Sequence, residues 1–197
     1  MQGKLIILSA PSGSGKTSIV KHLLAQPLPL AFSISATSRT KRDGERENID
    51  YYFITPANFK KKIREGAFVE WEEVYQDCFY GTLKSEIERI WAEGKTVVLD
   101  MDVVGGMNVK EMYENQALSI FIKAPDMETL TERLKGRGTE TEKSLQKRIE
   151  KANFELSFAD RFDVIVLNDC FEEACREILE IVTKFIKTTI IEKNTKN

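Results

Sequence analysis

The residues between 10 and 17 have the composition of a loop that binds phosphate. They follow an apolar segment, precede a helical pattern and read Ala10, Pro11, Ser12, Gly13, Ser14, Gly15, Lys16 and Thr17. Glycines allow successive backbone N–H groups to point at one anion, and the start of a helix adds partial positive charge. In such a loop Lys16 would reach the β- and γ-phosphates of a nucleotide, and the Thr17 hydroxyl would bind Mg²⁺. The strict pattern has glycine in place of Ala10, but a plain turn has no need of Lys-Thr, so phosphate binding is favoured.

Two carboxylates, Asp100 and Asp102, follow a second apolar segment. An Asp in that position is often only a turn residue. The carboxyl ends of parallel strands, however, face the ligand crevice of a sheet, and a carboxylate there can hold Mg²⁺ through water. Because a phosphate loop is present as well, the second interpretation is favoured. We therefore predict that Thr17 and Asp100 hold Mg²⁺.

Arginines are concentrated in two polar segments. One spans residues 38–46, and the other starts at Arg133 and continues through Arg137 to Arg148. Phosphoryl transfer depends on positive charge around the moving group more than on a nucleophile or a base. Glycines on both sides of Arg137 provide hinges, so the second segment could close over a nucleotide as a lid. Charged segments are usually solvated surfaces, but in a chain with a phosphate loop a phosphate clamp is the favoured interpretation.

The composition excludes several classes of protein. The 197 residues include 29 Lys and Arg, 31 Asp and Glu, one His and three Cys, with a net charge of −2. Near-neutrality argues against a protein that coats nucleic acid or a membrane surface, and a lone histidine excludes a multi-histidine metal site. An odd number of scattered cysteines indicates free thiols in a reducing compartment. Because there is no signal-peptide pattern and no apolar run near 20 residues, we expect a cytoplasmic protein.

The elements that must position these residues alternate between strands and helices. Continuous apolar segments rich in β-branched residues predict buried strands at 5–8, 96–99, 118–122 and 164–167. Helical patterns lie at 17–25, 84–93, 127–135, 142–157 and 171–187. Strands buried on both faces and separated by helices are typical of a parallel sheet. We therefore predict a three-layer α/β fold of the phosphate-loop type.

One region departs from this alternation. Residues 32–80 are richer in Thr, Tyr and Phe, and predict strands at 50–54 and 68–73 with a helix at 56–65 between them. This composition favours a small α+β lobe inserted into the parallel domain. The predicted division is a core (1–31, 83–125 and 158–190), a lobe (32–82) and a helical lid (126–157). These patterns alone predict a phosphotransferase or nucleotide hydrolase and do not identify the acceptor.

Short motifs occur along the chain in an order that is specific as a set. Beyond the phosphate loop they comprise residues 35–42, 50–53, 68–71, 79–82, 99–102, 137–142 and Asn168-Asp169. From residue 4 to about residue 187 the chain resembles guanylate kinases, which transfer the γ-phosphoryl group of ATP to GMP and yield ADP and GDP. The resemblance implies Mg²⁺ as cofactor and ATP and GMP as small-molecule substrates, with dGMP as a further acceptor. It implies no nucleic-acid or membrane partner and leaves the oligomeric state open.

The resemblance also assigns roles to individual residues. It implies that the GMP phosphate is held by Arg39, Arg42, Tyr51 and Tyr80, and that Ser35, Glu70, Thr82 and Asp102 complete the GMP site. Glu70 would accept hydrogen bonds from the guanine N1–H and exocyclic amine, which adenine cannot donate, so guanine would be selected. ATP would be bound by residues 10–17 (Ala10 to Thr17), Arg133, Arg137, Asn168 and Asp169. Catalysis would depend on Lys16, Arg42, Arg137 and Arg148.

Three positions depart from the family pattern. Ala10 replaces a common glycine, Val104 stands where the family often has Gln, and the loop 72–79 is one residue longer than usual. Two alternatives remain open: a kinase for another nucleoside monophosphate, and the non-catalytic peptide-binding domains of membrane scaffolds that share the fold. Because those domains generally have a degraded phosphate loop, the presence of Lys16, Thr17 and the lid arginines favours an enzyme.

Overall fold

The computed structural model describes residues 3–136 and 142–195, with the side chains at 143 and 189–195 excepted. Its strands are β1 Leu5–Ser9, β2 Leu30–Phe32, β3 Ala36–Thr37, β4 Tyr52–Phe53, β5 Phe68–Tyr75, β6 Cys78–Leu83, β7 Thr96–Asp100, β8 Ala117–Lys123 and β9 Val164–Leu167. Its helices are α1 Lys16–Leu24, α2 Pro56–Arg64, α3 Lys84–Ala92, α4 Val103–Tyr113, α5 Met127–Lys135, α6 Glu142–Leu156 and α7 Phe171–Thr195. Within these residues the strands form one sheet of five and one of four.

The central sheet has the strand order β2-β7-β1-β8-β9, and every neighbouring pair is parallel. β1 lies in the middle, and all five of its residues are buried. Leu5 and Ile7 pack into the core on one face of the sheet, with α3 and α4, while Ile6 and Leu8 pack on the other, with α1 and α7. Because helices cover both faces, the strands are apolar throughout, and the predicted three-layer α/β fold is confirmed.

The strand β2 is absent from the sequence prediction. It is three residues long and follows the segment Pro27–Pro29, a composition that indicates a loop. Phe32 nevertheless pairs with Val98 of β7, which places residue 32 in the central sheet. The division into core, lobe and lid stays a prediction, and Phe32, at its first boundary, lies in the central sheet.

The helix α4 is also absent from the prediction, because Gly105 and Gly106 disfavour a helix. Its N-terminus is capped by Asp102, whose Oδ1 accepts hydrogen bonds from the N–H groups of Val104 and Gly105 at 2.8 and 3.0 Å. A Cβ atom on Gly106 would lie 2.9 Å from Ser9 Oγ, so this glycine permits the helix to approach β1 closely. Close packing against the sheet stabilises a helix that its composition alone would not.

The four-stranded sheet has the order β4-β3-β6-β5 and mixes one parallel with two antiparallel pairs. It has a core of its own, in which the ring of Phe59 from α2 stacks on Phe68 and Phe79 with centroids 4.3 and 5.2 Å apart. The predicted strand at 50–54 is shorter, and that at 68–73 extends to Tyr75. Stacked aromatic rings thus support a small sheet that lies outside the central one.

The helices α5 and α6 pack on each other beside residues 10–17. Leu130 and Leu134 of α5 share a buried cluster with Ala152 of α6. The segment that links the two helices, with the predicted lid residue Arg137, lies outside the described residues. Among the helices that are described, none combines the length and apolarity needed to cross a membrane.

Candidate active site

The phosphate loop, residues 10–17, connects β1 to α1 and lines a cavity of about 400 Å³. Gly13 and Gly15 have φ angles of +96° and +89°, which strain any residue with a side chain. A Cβ atom on Gly15 would also lie 2.3 Å from the side-chain amide of Asn168. Ala10 fits the loop in a buried position, so the methyl group that replaces the usual glycine is accommodated. The loop therefore has the tight backbone turn that phosphate binding needs.

Lys16 reaches from the first turn of α1 to the end of β7. Its Nζ lies 2.5 Å from Asp100 Oδ1 and donates a hydrogen bond to the carbonyl oxygen of Met101 at 3.0 Å. Thr17 is exposed at the same cavity, and Asp102 lines it from the N-terminus of α4. The fold thus brings together the lysine, the hydroxyl and both carboxylates that the sequence singled out.

The chemistry of this donor set fits a hydrated Mg²⁺ ion. Thr17 offers a hydroxyl, and Asp100 and Asp102 offer carboxylates, all on one cavity. Mg²⁺ is usually held by one or two carboxylates together with water and substrate phosphates, and not by a closed protein cage. Over residues 3–136 and 142–195 no group of three or more His, Cys, Asp or Glu side chains has a metal-binding arrangement. An open site completed by a nucleotide is the arrangement that these residues suit.

Asn168, predicted to lie near ATP, holds the phosphate loop in place. It is 4% exposed, and its Nδ2 donates to the carbonyl oxygen of Ser14 at 2.7 Å. The backbone carbonyl oxygen of Asn168 accepts a hydrogen bond from Arg133 Nη1 at 3.0 Å. Arg133 and Asn168 therefore lie together behind the loop, and Asp169 follows as an exposed residue.

Arg148 extends from α6 to Ser12 of the phosphate loop. Its Nη1 donates to Ser12 Oγ at 3.0 Å, and its side chain lines the 400 Å³ cavity. A guanidinium at this place can contact the outer phosphates of a nucleotide held by the loop. The helix α6 thus contributes positive charge to the cavity that Lys16 also lines.

In the four-stranded sheet, Arg39 lies among aromatic rings and one carboxylate. Its Nε donates to Tyr80 Oη at 2.9 Å, and its guanidinium lies 5.1 Å from the centre of the Tyr51 ring. Both terminal nitrogens donate to the carboxylate of Glu45, at 2.7 and 2.5 Å. This hydrogen-bonded pair lowers the pKa of Glu45 to about 2 and raises that of Arg39. The predicted phosphate-binding residues Arg39, Tyr51 and Tyr80 are therefore in contact, with Glu45 as an unpredicted partner.

Arg42 and Ser35 lie near this cluster in different settings. Arg42 is exposed, and its backbone N–H donates to Glu45 Oε2 at 2.8 Å. Ser35 is half-buried at the start of β3, where its carbonyl oxygen accepts a hydrogen bond from Tyr52 N at 2.9 Å. Burial raises the pKa of the Tyr51 hydroxyl, so this group remains a hydrogen-bond donor at neutral pH.

Glu70 lines a second cavity, of about 530 Å³, between β5 and α4. Its Oε1 accepts a hydrogen bond from Thr82 Oγ1 at 2.8 Å. Burial raises the pKa of this carboxyl group, and the negative charge of Asp102 acts in the same direction. A Cβ atom on Gly105 would lie 3.3 Å from Glu70 Oε2 and 3.5 Å from Asp102 Oδ2. The glycine therefore leaves room beside two carboxylate acceptors, where a ligand with neighbouring N–H groups would fit.

Two residues that the sequence analysis missed, Lys151 and Glu155, line both cavities together with Asp102. Glu155 is 5% exposed, and its burial raises the pKa of its carboxyl group. Lys151 Nζ lies 3.9 Å from Glu155 Oε1. Residues 148, 151 and 155 are three and four positions apart, so they share one face of the helix predicted at 142–157. The position of Arg148 on that face could therefore have identified the other two.

Two departures from the family pattern, Val104 and the loop 72–79, lie on the second cavity and on the β5–β6 hairpin. Val104 is 45% exposed at the rim of the second cavity. The β5–β6 hairpin is irregular at two places, between Phe68 and Glu70 and between Glu73 and Tyr75, and Glu70 pairs directly with Thr82. The length of the hairpin therefore leaves this contact in place.

Known proteins resemble this chain over nearly its whole length. The family model described as Guanylate kinase matches residues 2–185. A guanylate kinase of Bacteroides fragilis (strain YCH46) is 50% identical over 185 residues, which cover 94% of this chain and 91% of that one. A guanylate kinase of Thermotoga maritima is 43% identical over 182 residues, covering 92% and 87%. This chain is a member of the guanylate kinase family.

A solved structure agrees with this assignment. The crystal structure of guanylate kinase from Anaplasma phagocytophilum has a TM-score of 0.72 and 30% sequence identity, and covers 92% of this chain and 85% of that one. Guanylate kinases are phosphotransferases that act on GMP, so family membership supplies the acceptor that the residue patterns alone left open. The substrates of this guanylate kinase are accordingly small nucleotides.

Proposed function

We propose that this guanylate kinase transfers the γ-phosphoryl group of ATP directly to GMP and yields ADP and GDP. The observation that carries the proposal is the junction of the two cavities, which share Asp102, Lys151 and Glu155. A nucleoside triphosphate on the phosphate loop would lie on one side of this junction, and GMP with its base beside Glu70 would lie on the other. Such proximity converts a reaction between two nucleotides into one within a single complex.

ATP is assigned to the phosphate loop, with its phosphates against the N-terminus of α1. The N–H groups of residues 13–17, Lys16 and Arg148 would surround the β- and γ-phosphates. Asn168 and Arg133 would support the loop and approach the adenine, and Asp169 lies next to them. Mg²⁺, held through Thr17 and Asp100, would supply positive charge between the phosphates when bound.

GMP is assigned to the four-stranded sheet, which we propose as the acceptor lobe of the predicted division. Its phosphate would be received by Arg39, Arg42, Tyr51 and Tyr80. Guanine would direct its N1–H and exocyclic amine at Glu70, with Ser35, Thr82 and Asp102 around the base. Adenine lacks that pair of donors and would leave a buried carboxylate unpaired, which gives discrimination between purines.

In the reaction an oxygen of the GMP phosphate attacks the γ-phosphorus in line, and the bond to the β-phosphate oxygen of ADP breaks. The developing negative charge is spread over the transferring group, so catalysis consists chiefly of positioning and positive charge. Lys16 and Arg148 supply charge from the donor side, and Arg42 from the acceptor side. The segment 126–157, with Arg137, is proposed to close over the nucleotides as a lid.

A coupled assay of ADP release tests the proposal against its alternatives. GMP should support turnover, whereas AMP, UMP and CMP at equal concentration should not, and Lys16→Ala should abolish the activity. Preference for AMP would indicate a kinase for another monophosphate, and binding of GMP without turnover would favour a non-catalytic module. The same assay measures the use of dGMP, and the cytoplasmic location remains a prediction.

A further inference from the structure

The carboxylate of Glu45 occupies the end of the Arg39 guanidinium. Its two oxygens accept from Nη1 and Nη2 of Arg39 in the bidentate arrangement by which arginine also binds phosphate. The side chains of Arg39 and Glu45 are only 13% and 20% exposed. An anion from the chain itself therefore already neutralises an arginine assigned to the acceptor phosphate.

Glu45 is also fixed to the second arginine of the site. Its Oε2 accepts from the backbone N–H of Arg42 at 2.8 Å, and its own N–H donates to the carbonyl oxygen of Arg42 at 3.2 Å. Gly44, with φ of +86°, provides the turn that brings residues 42 and 45 together. Displacing Glu45 from Arg39 would therefore break contacts to both arginines at once.

A count of the hydrogen-bond donors of Arg39 shows which edge remains available. A guanidinium has five N–H groups. Nε donates to Tyr80 Oη, Nη1 to Glu45 and to the Thr40 carbonyl oxygen, and Nη2 to Glu45. Among the residues that the structure describes, the one N–H of Arg39 without a hydrogen bond is on Nη2, along the edge shared with Nε. It therefore lies on the same side as the Tyr80 hydroxyl.

We propose that Glu45 is a positioning residue for the acceptor phosphate: it stays bound to the end of Arg39 and directs the Nε–Nη2 edge, with Tyr80, at that phosphate. The inference rests on the proposed function and specifies how its acceptor site is organised. Tyr80 Oη accepts from Arg39 and keeps its own hydrogen to donate to a phosphate oxygen. Glu45 thereby orients two donors that contact the phosphate, the Nη2–H of Arg39 and the Tyr80 hydroxyl, and makes no contact with the phosphate itself.

The alternative arrangement is displacement, in which the incoming phosphate replaces Glu45 on Arg39. The two arrangements predict opposite effects of removing the negative charge. If Glu45 positions Arg39, Glu45→Gln weakens GMP binding, because an amide has a single acceptor atom, whereas the carboxylate places one oxygen on each terminal nitrogen of the guanidinium. If Glu45 competes with the phosphate, the same variant strengthens GMP binding.

Steady-state kinetics of the full chain with Glu45→Gln distinguish these arrangements. We expect the KM for GMP to rise about tenfold or more, as for loss of a charge-assisted contact, while the KM for ATP stays within about twofold. The matched control is Asp43→Asn, which makes the same charge change at an exposed residue with no hydrogen bond or ion pair in the described part of the chain. Glu45→Asp should recover part of the loss.

Guanosine serves as a probe that lacks the phosphate. Its inhibition constant against GMP should be the same for the wild type and Glu45→Gln, since only the phosphate contacts change. Equal weakening of guanosine and GMP would show a general disturbance of the lobe and overturn the proposal, as would an unchanged or lower KM for GMP. If the wild-type chain bound GMP no better than guanosine, the proposed site for the acceptor phosphate would be wrong. This result is distinct from one in which only the positioning role of Glu45 is wrong.

A double-mutant cycle with Tyr80→Phe tests whether Glu45 acts through its neighbours. In the wild type, removing the Tyr80 hydroxyl should raise the KM for GMP several-fold. In the Glu45→Gln background the further increase should be smaller, because Arg39 no longer holds the tyrosine. Strictly additive effects would mean that the two residues act independently and would contradict the positioning role.

Discussion

Lys16 Nζ lies 2.5 Å from Asp100 Oδ1, so the phosphate loop and the end of β7 are joined by an ion pair on the floor of the cavity. The two side chains are 19% and 24% exposed. The aspartate thus holds the lysine side chain at the cavity that the phosphate loop lines.

Asp100→Asn is expected to lower kcat by about a hundredfold, because the variant loses both the lysine partner and a carboxylate assigned to Mg²⁺. Partly exposed ion pairs contribute little to folding, so the free energy of unfolding should change by less than about 1 kcal/mol. Kinetics at increasing Mg²⁺ concentration, with urea unfolding alongside, measure both quantities. An unchanged kcat and Mg²⁺ requirement would remove Asp100 from the site.

Asn168→Ala should affect both stability and ATP use. The variant leaves the buried carbonyl oxygen of Ser14 without its donor, which costs about 1–3 kcal/mol. The phosphate loop would also lose its support, so the KM for ATP should rise while that for GMP stays nearly constant. Urea unfolding and initial rates at varied ATP test this, and an equal rise in both KM values would contradict a role confined to the loop.

Glu70→Gln is expected to stabilise the unliganded protein while impairing GMP recognition. Burial raises the pKa of the Glu70 carboxyl group above its ordinary value. At a pH between the ordinary pKa and the raised pKa, the folded chain therefore binds more protons than the unfolded chain. The contribution of Glu70 to stability therefore decreases as the pH rises through that interval, and a neutral amide avoids the loss. Thermal unfolding at neutral pH should show a higher Tm.

The same variant should raise the KM for GMP about tenfold or more and leave the KM for ATP nearly unchanged, because an amide accepts on only one atom. For the wild type, GMP use should fall on acidification as Glu70 gains a proton. A lower Tm, or a parallel rise in both KM values, would show that the carboxylate has a structural role instead.

Gly105→Ala should interfere with GMP without weakening the fold. Within a helix, alanine is favoured over glycine by up to about 1 kcal/mol, but the added Cβ would lie 3.3 Å from Glu70 Oε2. We expect an unchanged or higher Tm and a KM for GMP raised several-fold. Glu111→Ala, at an exposed position of the same helix, is the control for helix propensity and should leave the KM for GMP unchanged.

Lys151→Met tests the junction of the two cavities. Its positive charge lies at the junction that both cavities share, between the two assigned nucleotides, so kcat should fall about tenfold while both KM values change less. Lys147→Met is the matched control, because Lys147 is an exposed lysine one turn earlier on α6 that lines neither cavity. If both variants lowered kcat equally, Lys151 would act only through the net charge of α6 and not through its place at the junction.

Features that are determined by residues close together in the sequence could be predicted, whereas features that depend on contacts between distant residues could not. The phosphate loop is a contiguous pattern in which Gly13 and Gly15 need positive φ, and β1 is recognisable by burial on both faces. The helix α4 could not be predicted, because its glycines are explained only by residues distant in sequence: Gly106 by the approach to Ser9, and Gly105 by the nearby carboxylate of Glu70.

The candidate site shows the same distinction. The presence of Arg39 could be predicted from a motif, but the role of Glu45 could not, since it depends on a turn at Gly44 and on a partner, Tyr80, that is distant in sequence. Glu155 was missed because a glutamate on a charged helix is ordinarily solvated, and only the packed structure shows it to be 5% exposed.

The stacked rings of Phe59, Phe68 and Phe79 give the four-stranded sheet a core separate from those of the central sheet. A segment with its own core can be exchanged as a unit between proteins without repacking the layer below it. With the proposed acceptor site on this sheet, we expect that grafting the lobe of a relative onto the same parallel sheet would change which monophosphate is used, provided that the packing of Val69 in the core of the central sheet is kept.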